Sequence, residues 1–333
     1  MPKVRGWRRE RGRRPVALMR STYVPKRENA STNGRPTAPF DSEPKGLTWQ
    51  PLSDVEMRSI VFVDKPLLQA DAFHIICGRK GTGKGTLLAS IAARVTRGEL
   101  GIKRNVVWIG SEDSAGIDIR PRIEAAAGDP ARILIPKSGW VQLPRDLGEI
   151  AAAMTEFGDI GMVVIDPVGN HISGKNSNSE TDIRDAIAPL NDLPDEFKTM
   201  VFGVRHLSEK DCSQGGVLAA ILGSSAWVQT PQAVIAVVRD NDDAQVSHVQ
   251  CVIGNRIPEG SPGRMFRIEG VKVEGLENEV TCASWIGDSH KDVETMLAAG
   301  KTSKSAQARD LILDILESEW DGSRERSAPR PGR

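Results

Sequence analysis

The stretch Gly78-Arg79-Lys80-Gly81-Thr82-Gly83-Lys84-Gly85-Thr86 constrains this chain more than any other. It follows the apolar run Phe73–Cys77 and precedes Leu87–Val95, whose apolar residues recur at helical spacing. Strand, glycine-rich turn and helix, in that order, form the setting in which backbone N–H groups wrap around phosphates. The glycines let the amides turn inward, the helix N-terminus adds positive potential, and Lys84 extends toward the β- and γ-phosphates of a nucleotide. All nine residues are candidate ATP-binding positions, and Lys84 is also a candidate catalytic residue. The position after Lys84 usually carries a Ser or Thr whose hydroxyl ligates Mg²⁺. Here it is Gly85, which leaves Thr86 as the candidate metal ligand, directly or through water.

Further apolar runs occur at Val106–Ile109, Met162–Ile165 and Met200–Val204, with helical spacing at Ile117–Ala127, Leu147–Phe157 and Ile183–Leu193 between and before them. Alternation of this kind predicts an α/β fold, a mainly parallel sheet with helices on both faces. From Ala233 the helical pattern stops. The runs Ala233–Arg239, Val246–Ile253, Met265–Val273 and Val280–Trp285 read as antiparallel strands at the sheet edge.

In an open parallel sheet the strand C-termini face the ligand crevice. Asp166 ends the run Met162–Ile165 in the Walker B manner and is the candidate Mg²⁺ residue. Glu112 and Asp113 follow Val106–Ile109. Glu112 is the candidate that orients and activates an attacking water, against the alternative of a helix N-cap, a role that falls more naturally to Asp113. His206, after Met200–Val204, is a candidate sensor of the γ-phosphate, the alternative being a structural histidine.

Composition sets the class. Hydrophobic residues at 39% and charged residues at 26% are those of an ordinary globular protein. No apolar stretch approaches the roughly 18 residues a membrane helix needs, and no secretory leader is recognisable. The four cysteines form no CxxC pair, which points to a reducing cytoplasm rather than to disulfides or zinc. Net charge is zero, yet the first 35 residues carry many Arg and Lys against only Glu10 and Glu28. Such an arm contacts a polyanion such as DNA or is a solubilising tail. Residues 1–46 lack periodicity and read as disordered, 47–288 as the α/β core, and 289–333 as a linker, one amphipathic helix over Ala306–Leu316 and a disordered tail.

Taken together, the loop at 78–86, Ser111-Glu112-Asp113, Val164-Ile165-Asp166-Pro167, Asp182–Leu190, Arg205-His206-Leu207-Ser208-Glu209-Lys210 and Leu222–Trp227 resemble the RecA-like P-loop ATPases of the RepA-type hexameric helicase group. More distant likenesses are DnaB and KaiC. The resemblance spans about Leu47 to Gly287. It implies ATP and Mg²⁺ as cofactors, Glu112 as the catalytic glutamate, Asp166 as the magnesium aspartate and His206 as the γ-phosphate sensor. It also implies a homo-oligomer, a hexamer in the group, with DNA as a partner and helicase work in replication or repair. Asn255-Arg256 stands where the group has a late polar pair, so Arg256 is the candidate cation completing a neighbour's site, with Arg264 and Arg267 as alternatives. Loops bearing Lys175 and Lys210 stand at places comparable to the channel loops of that group, the alternative being mobile surface loops. The sequence Gly83-Lys84-Gly85-Thr86 also resembles the adenylate kinase loop, which keeps a nucleotide or small-molecule kinase, and a slow regulatory ATPase, as alternatives.

Overall fold

The computed structural model describes residues 49–101, 103–172, 179–207, 221, 224–258 and 260–299. The basic arm, the loops bearing Lys175 and Lys210, the expected helix at 306–316 and the tail lie outside these residues.

Among the described residues, nine strands form one sheet in the order β11-β10-β9-β8-β3-β7-β6-β4-β5. The parallel part comprises β3 (Phe73–Gly78), β4 (Asn105–Gly110), β5 (Ile133–Leu134), β6 (Ile160–Asp166), β7 (Met200–His206) and β8 (Ala233–Arg239). A separate two-stranded ribbon pairs β1 (Phe62–Asp64) with β2 (Leu68–Gln69). The parallel strands are continuous apolar runs because both of their faces are covered. Side chains alternate between two cores. Ile75, Val163, Ile165 and Val234 meet α3 (Leu147–Phe157) and α4 (Glu180–Ile187) on one face. Ile76, Met162, Val164 and Ile235 meet α1 (Lys84–Arg97) and α2 (Arg120–Ala125) on the other.

Two expected helices are broken into shorter pieces. The segment expected over Ile117–Ala127 opens as a π-helical turn, Ala115–Ile119, and becomes α2 only at Arg120, with Pro121 in its first turn where its missing N–H costs nothing. The segment expected over Ile183–Leu193 breaks at Pro189: α4 ends at Ile187, a 3₁₀ turn spans Ala188–Asn191, and α5 covers Asp192–Phe197.

A third correction matters more for the site. The run Ala233–Arg239 is not antiparallel: β8 lies beside β3 and runs parallel to it. The antiparallel extension starts only with β9 (Val246–Gly254) and continues through β10 (Gly263–Val271) and β11 (Val280–Ser289). This extension curls over α1, with Ser90 Oγ donating to Ala283 O at 2.5 Å. After α6 (Ala226–Gln229), the last described helix is α7 (Val293–Ala299), whose Val293 and Leu297 are buried in the first core.

Candidate functional site

The chain leaves β3 at Gly78 and enters α1 at Lys84, so the loop between them lies at the C-terminal edge of the parallel strands. Its carbonyls are tied back. Lys84 Nζ donates to Gly78 O at 2.8 Å and Arg79 O at 3.0 Å, Ser247 Oγ donates to Thr82 O at 2.9 Å, and Arg239 donates to Gly81 O. The first-turn amides of α1 have no intrahelical acceptors and remain available to an anion. Gly83 is favoured here by its φ of +88°, and a Cβ would also push on Ile268 Cδ1 of β10, 2.4 Å away.

A cleft of about 340 Å³ opens over this loop, and Lys84, Thr86, Glu112, Asp166 and His206 all border it. Strand order explains the convergence. Because β7 lies between β3 and β6, its terminal His206 is set between the loop and Asp166. His206 Nε2 is 3.4 Å from Glu112 Oε2, and Asn170 Nδ2 donates to Glu112 Oε1 at 3.2 Å. The Glu112 side chain is 49% exposed, so it faces solvent while its orientation is fixed from two sides.

Burial shapes the charges. Lys84 is 4% exposed, and desolvation lowers its pKa to about 8 against the opposing pull of Asp166. Asp166 is pushed up to about 6, first by burial and then by the nearby Asp113 carboxylate, with Lys84 opposing. Desolvation and then Lys84 lower His206, while Glu112 works the other way.

Asp113 does not cap a helix. Ser114 holds the N-cap position, and Asp113 forms an ion pair with Arg122 of α2. A Cβ built on Gly85 would lie 3.7 Å from Oδ2 of both Asp113 and Asp166. Two carboxylates thus converge beside the position where such loops carry their metal-binding hydroxyl. Among the described residues no cluster of three or more His, Cys, Asp or Glu makes a self-sufficient cage. Mg²⁺ needs none, since it is commonly held by one or two carboxylates, waters and the substrate's phosphates. The donor set fits it. The Thr86 hydroxyl lies 3.5 Å from that of Thr281 on β11.

Arg256 is not near this cleft. The strand β9 runs antiparallel to β8, and Gly254 pairs with Ala233 at the start of β8, so Arg256 is exposed at the opposite edge of the sheet. Arg264 pairs with Asp64, and Arg267 with Asp243 at 2.8 Å. The arginines that do border the cleft are Arg122 and Arg239. The second was legible in principle as the last residue of a parallel strand, had the direction of β8 been known. Neither Arg122 nor Asn170 carries a motif that would single it out.

Residues 48–211 match the family model described as an AAA domain. The match supports a nucleotide-binding P-loop ATPase. The α/β architecture, with its parallel sheet, phosphate loop and antiparallel edge, is that of a P-loop NTPase. No curated protein matches the chain. Within the P-loop site, the family match covers Lys84, Glu112, Asp166 and His206, whereas Arg239, Ile268 and Thr281 come from strands beyond it. Among the described residues no helix is long and apolar enough to cross a membrane.

Proposed function

We propose that the chain hydrolyses ATP at this cleft and uses the cycle, as a RepA-like homo-oligomer, to act on DNA. The observation that supports hydrolysis best is Glu112, held by Asn170 and His206 at the mouth of a cleft whose floor is Lys84 and the P-loop. Residues Gly78, Arg79, Lys80, Gly81, Thr82, Gly83, Gly85 and Thr86 surround the phosphates, and Lys84 leaves the carbonyls of Gly78 and Arg79 to face the β- and γ-phosphates. Magnesium, when bound, neutralises charge developing on the transferring phosphoryl group. Asp166 would hold it in this reading, with Thr86 contributing directly or through water. Glu112 orients the attacking water and accepts its proton, and His206 senses whether a γ-phosphate stands in front of it.

Assembly enters because no arginine of the Arg256 region reaches the chain's own loop. A role for Arg256 in catalysis therefore requires a second copy whose P-loop meets that edge of the sheet. The basic first 35 residues favour a polyanionic partner, and DNA is the one the resemblance implies. ATP turnover measured with no DNA, single-stranded DNA and duplex DNA, alongside oligomeric state, tests the reading. Stimulation by DNA together with a closed oligomer is the expected result. Slow turnover indifferent to DNA would replace the motor with a regulatory ATPase, and phosphate transfer to a nucleoside monophosphate would replace it with a kinase.

A further inference from the structure

Gly85 and Arg122 are complementary. Removing the side chain after Lys84 opens a space, and the Arg122 guanidinium approaches it: Nη1 would be 3.4 Å from a Cβ at Gly85. A Mg²⁺ bound to a serine hydroxyl at about 2.1 Å would lie roughly 3 Å from that serine's Cβ. The guanidinium nitrogen is thus about as far from that Cβ as a hydroxyl-bound metal would be, and on the side of the Asp113 carboxylate it pairs with. It is paired with Asp113, and the same Gly85 Cβ position is 3.7 Å from the Asp113 and Asp166 oxygens. A second carboxylate waits on the other side, with Asp118 Oδ1 3.5 Å from Arg122 Nη2. Asp118 belongs to the π-helical turn that precedes α2, four residues from Arg122, so the guanidinium already touches both carboxylates and has a partner to lean toward when it leaves Asp113.

We propose that Arg122 is a resident counter-cation that holds the metal position beside Asp113 and Asp166 in the nucleotide-free protein and yields it, toward Asp118, when a magnesium–nucleotide enters. The device solves an electrostatic problem beside Gly85. Two neighbouring carboxylates in a partly desolvated site repel each other, and a built-in cation compensates them until a stronger one arrives. It also makes metal entry depend on nucleotide, because phosphates supply the ligands that outcompete a guanidinium. The proposal rests on the reading of the cleft as a nucleotide site, and its test is kept separable from that reading.

The probe is Mn²⁺ alone, followed by electron paramagnetic resonance on the full chain without nucleotide. Arg122→Gln should bind Mn²⁺ at least tenfold more tightly than the unchanged protein, and adding ATP should narrow that gap. Asp118→Asn, which keeps an oxygen for the Ser114 amide, should weaken Mn²⁺ binding in the presence of ATP, because the charged outward partner is lost. Equal Mn²⁺ affinity in Arg122→Gln and the unchanged protein overturns the proposal. If Arg122→Gln fails to fold by circular dichroism, an unaltered affinity in Asp118→Asn overturns it instead. Failure of all forms to bind ATP, with the Mn²⁺ difference intact, would sink the nucleotide reading and leave the counter-cation standing.

Discussion

The imidazole of His206 stands 3.4 Å from the carboxylate of Glu112, although His206 ends β7 and Glu112 follows β4, strands that are separated by β6. Both side chains lean across the end of β6 above Asp166, and Asn170, from the turn after β6, completes the clamp on Glu112. The carboxylate proposed to handle water is thus tied to the histidine proposed to sense phosphate.

Glu112→Gln should therefore bind ATP about as well as the unchanged protein and lose at least about a hundredfold in turnover, since it contributes to the chemical step rather than to phosphate binding. Asn170→Ala should lower turnover more mildly, roughly tenfold, with nucleotide affinity unchanged. Single-turnover hydrolysis with a parallel binding titration separates the two effects. Normal hydrolysis by Glu112→Gln would move the role to another acid.

Lys84→Ala should abolish hydrolysis and weaken nucleotide binding by about two orders of magnitude, because a charge-assisted contact to phosphate is removed. Equilibrium binding of a fluorescent ATP analogue checks it. Retained affinity would show that the loop is not the phosphate site.

The pH dependence follows from the two buried charges. Lys84, lowered to about 8, is increasingly neutral in the free protein above that pH, so nucleotide binding must draw a proton and affinity falls as pH rises through 8. Asp166, raised to about 6, is protonated below that value, so metal-dependent activity falls as pH drops through 6. Turnover should show a bell between these limits, and calorimetry in buffers of different ionisation enthalpy should register proton uptake on binding near pH 8.5. A flat profile from pH 5.5 to 9 would contradict both assignments.

Gly83→Ala tests the contact between the P-loop and β10. A left-handed backbone costs an alanine about 1–2 kcal/mol, and the Cβ must also displace the terminal methyl of Ile268, a smaller cost because that side chain is flexible. Ile268→Ala should relieve the second cost and leave the first. Denaturant unfolding of the two single variants and the double variant measures the difference. Additive losses would mean that the two side chains do not meet.

Assembly across the sheet edge predicts complementation. Arg256→Ala and Lys84→Ala homo-oligomers should each be nearly inactive, whereas mixtures that exchange subunits should regain part of the turnover through interfaces that pair an intact Lys84 with an intact Arg256. A mixture that exchanges and stays inactive removes Arg256 from the reaction.

Local order carried much of this protein in plain view. The phosphate loop, the acids at strand ends and the alternation of apolar runs are all encoded over a few residues by side-chain period and glycine spacing, so the parallel α/β core and the positions of Lys84, Glu112, Asp166 and His206 could be read along the chain. Tertiary structure alone decided how the strands are ordered and which way β8 runs, because an apolar run reads the same in either direction and pairing partners are chosen by long-range burial. That choice inserted β7 between β3 and β6, brought His206 to Glu112, and carried Arg239 to Gly81 and Arg256 to the far edge. The meeting of Gly85 with Arg122 has the same origin: a guanidinium from one helix comes beside a glycine on another, and no periodicity in either segment announces it.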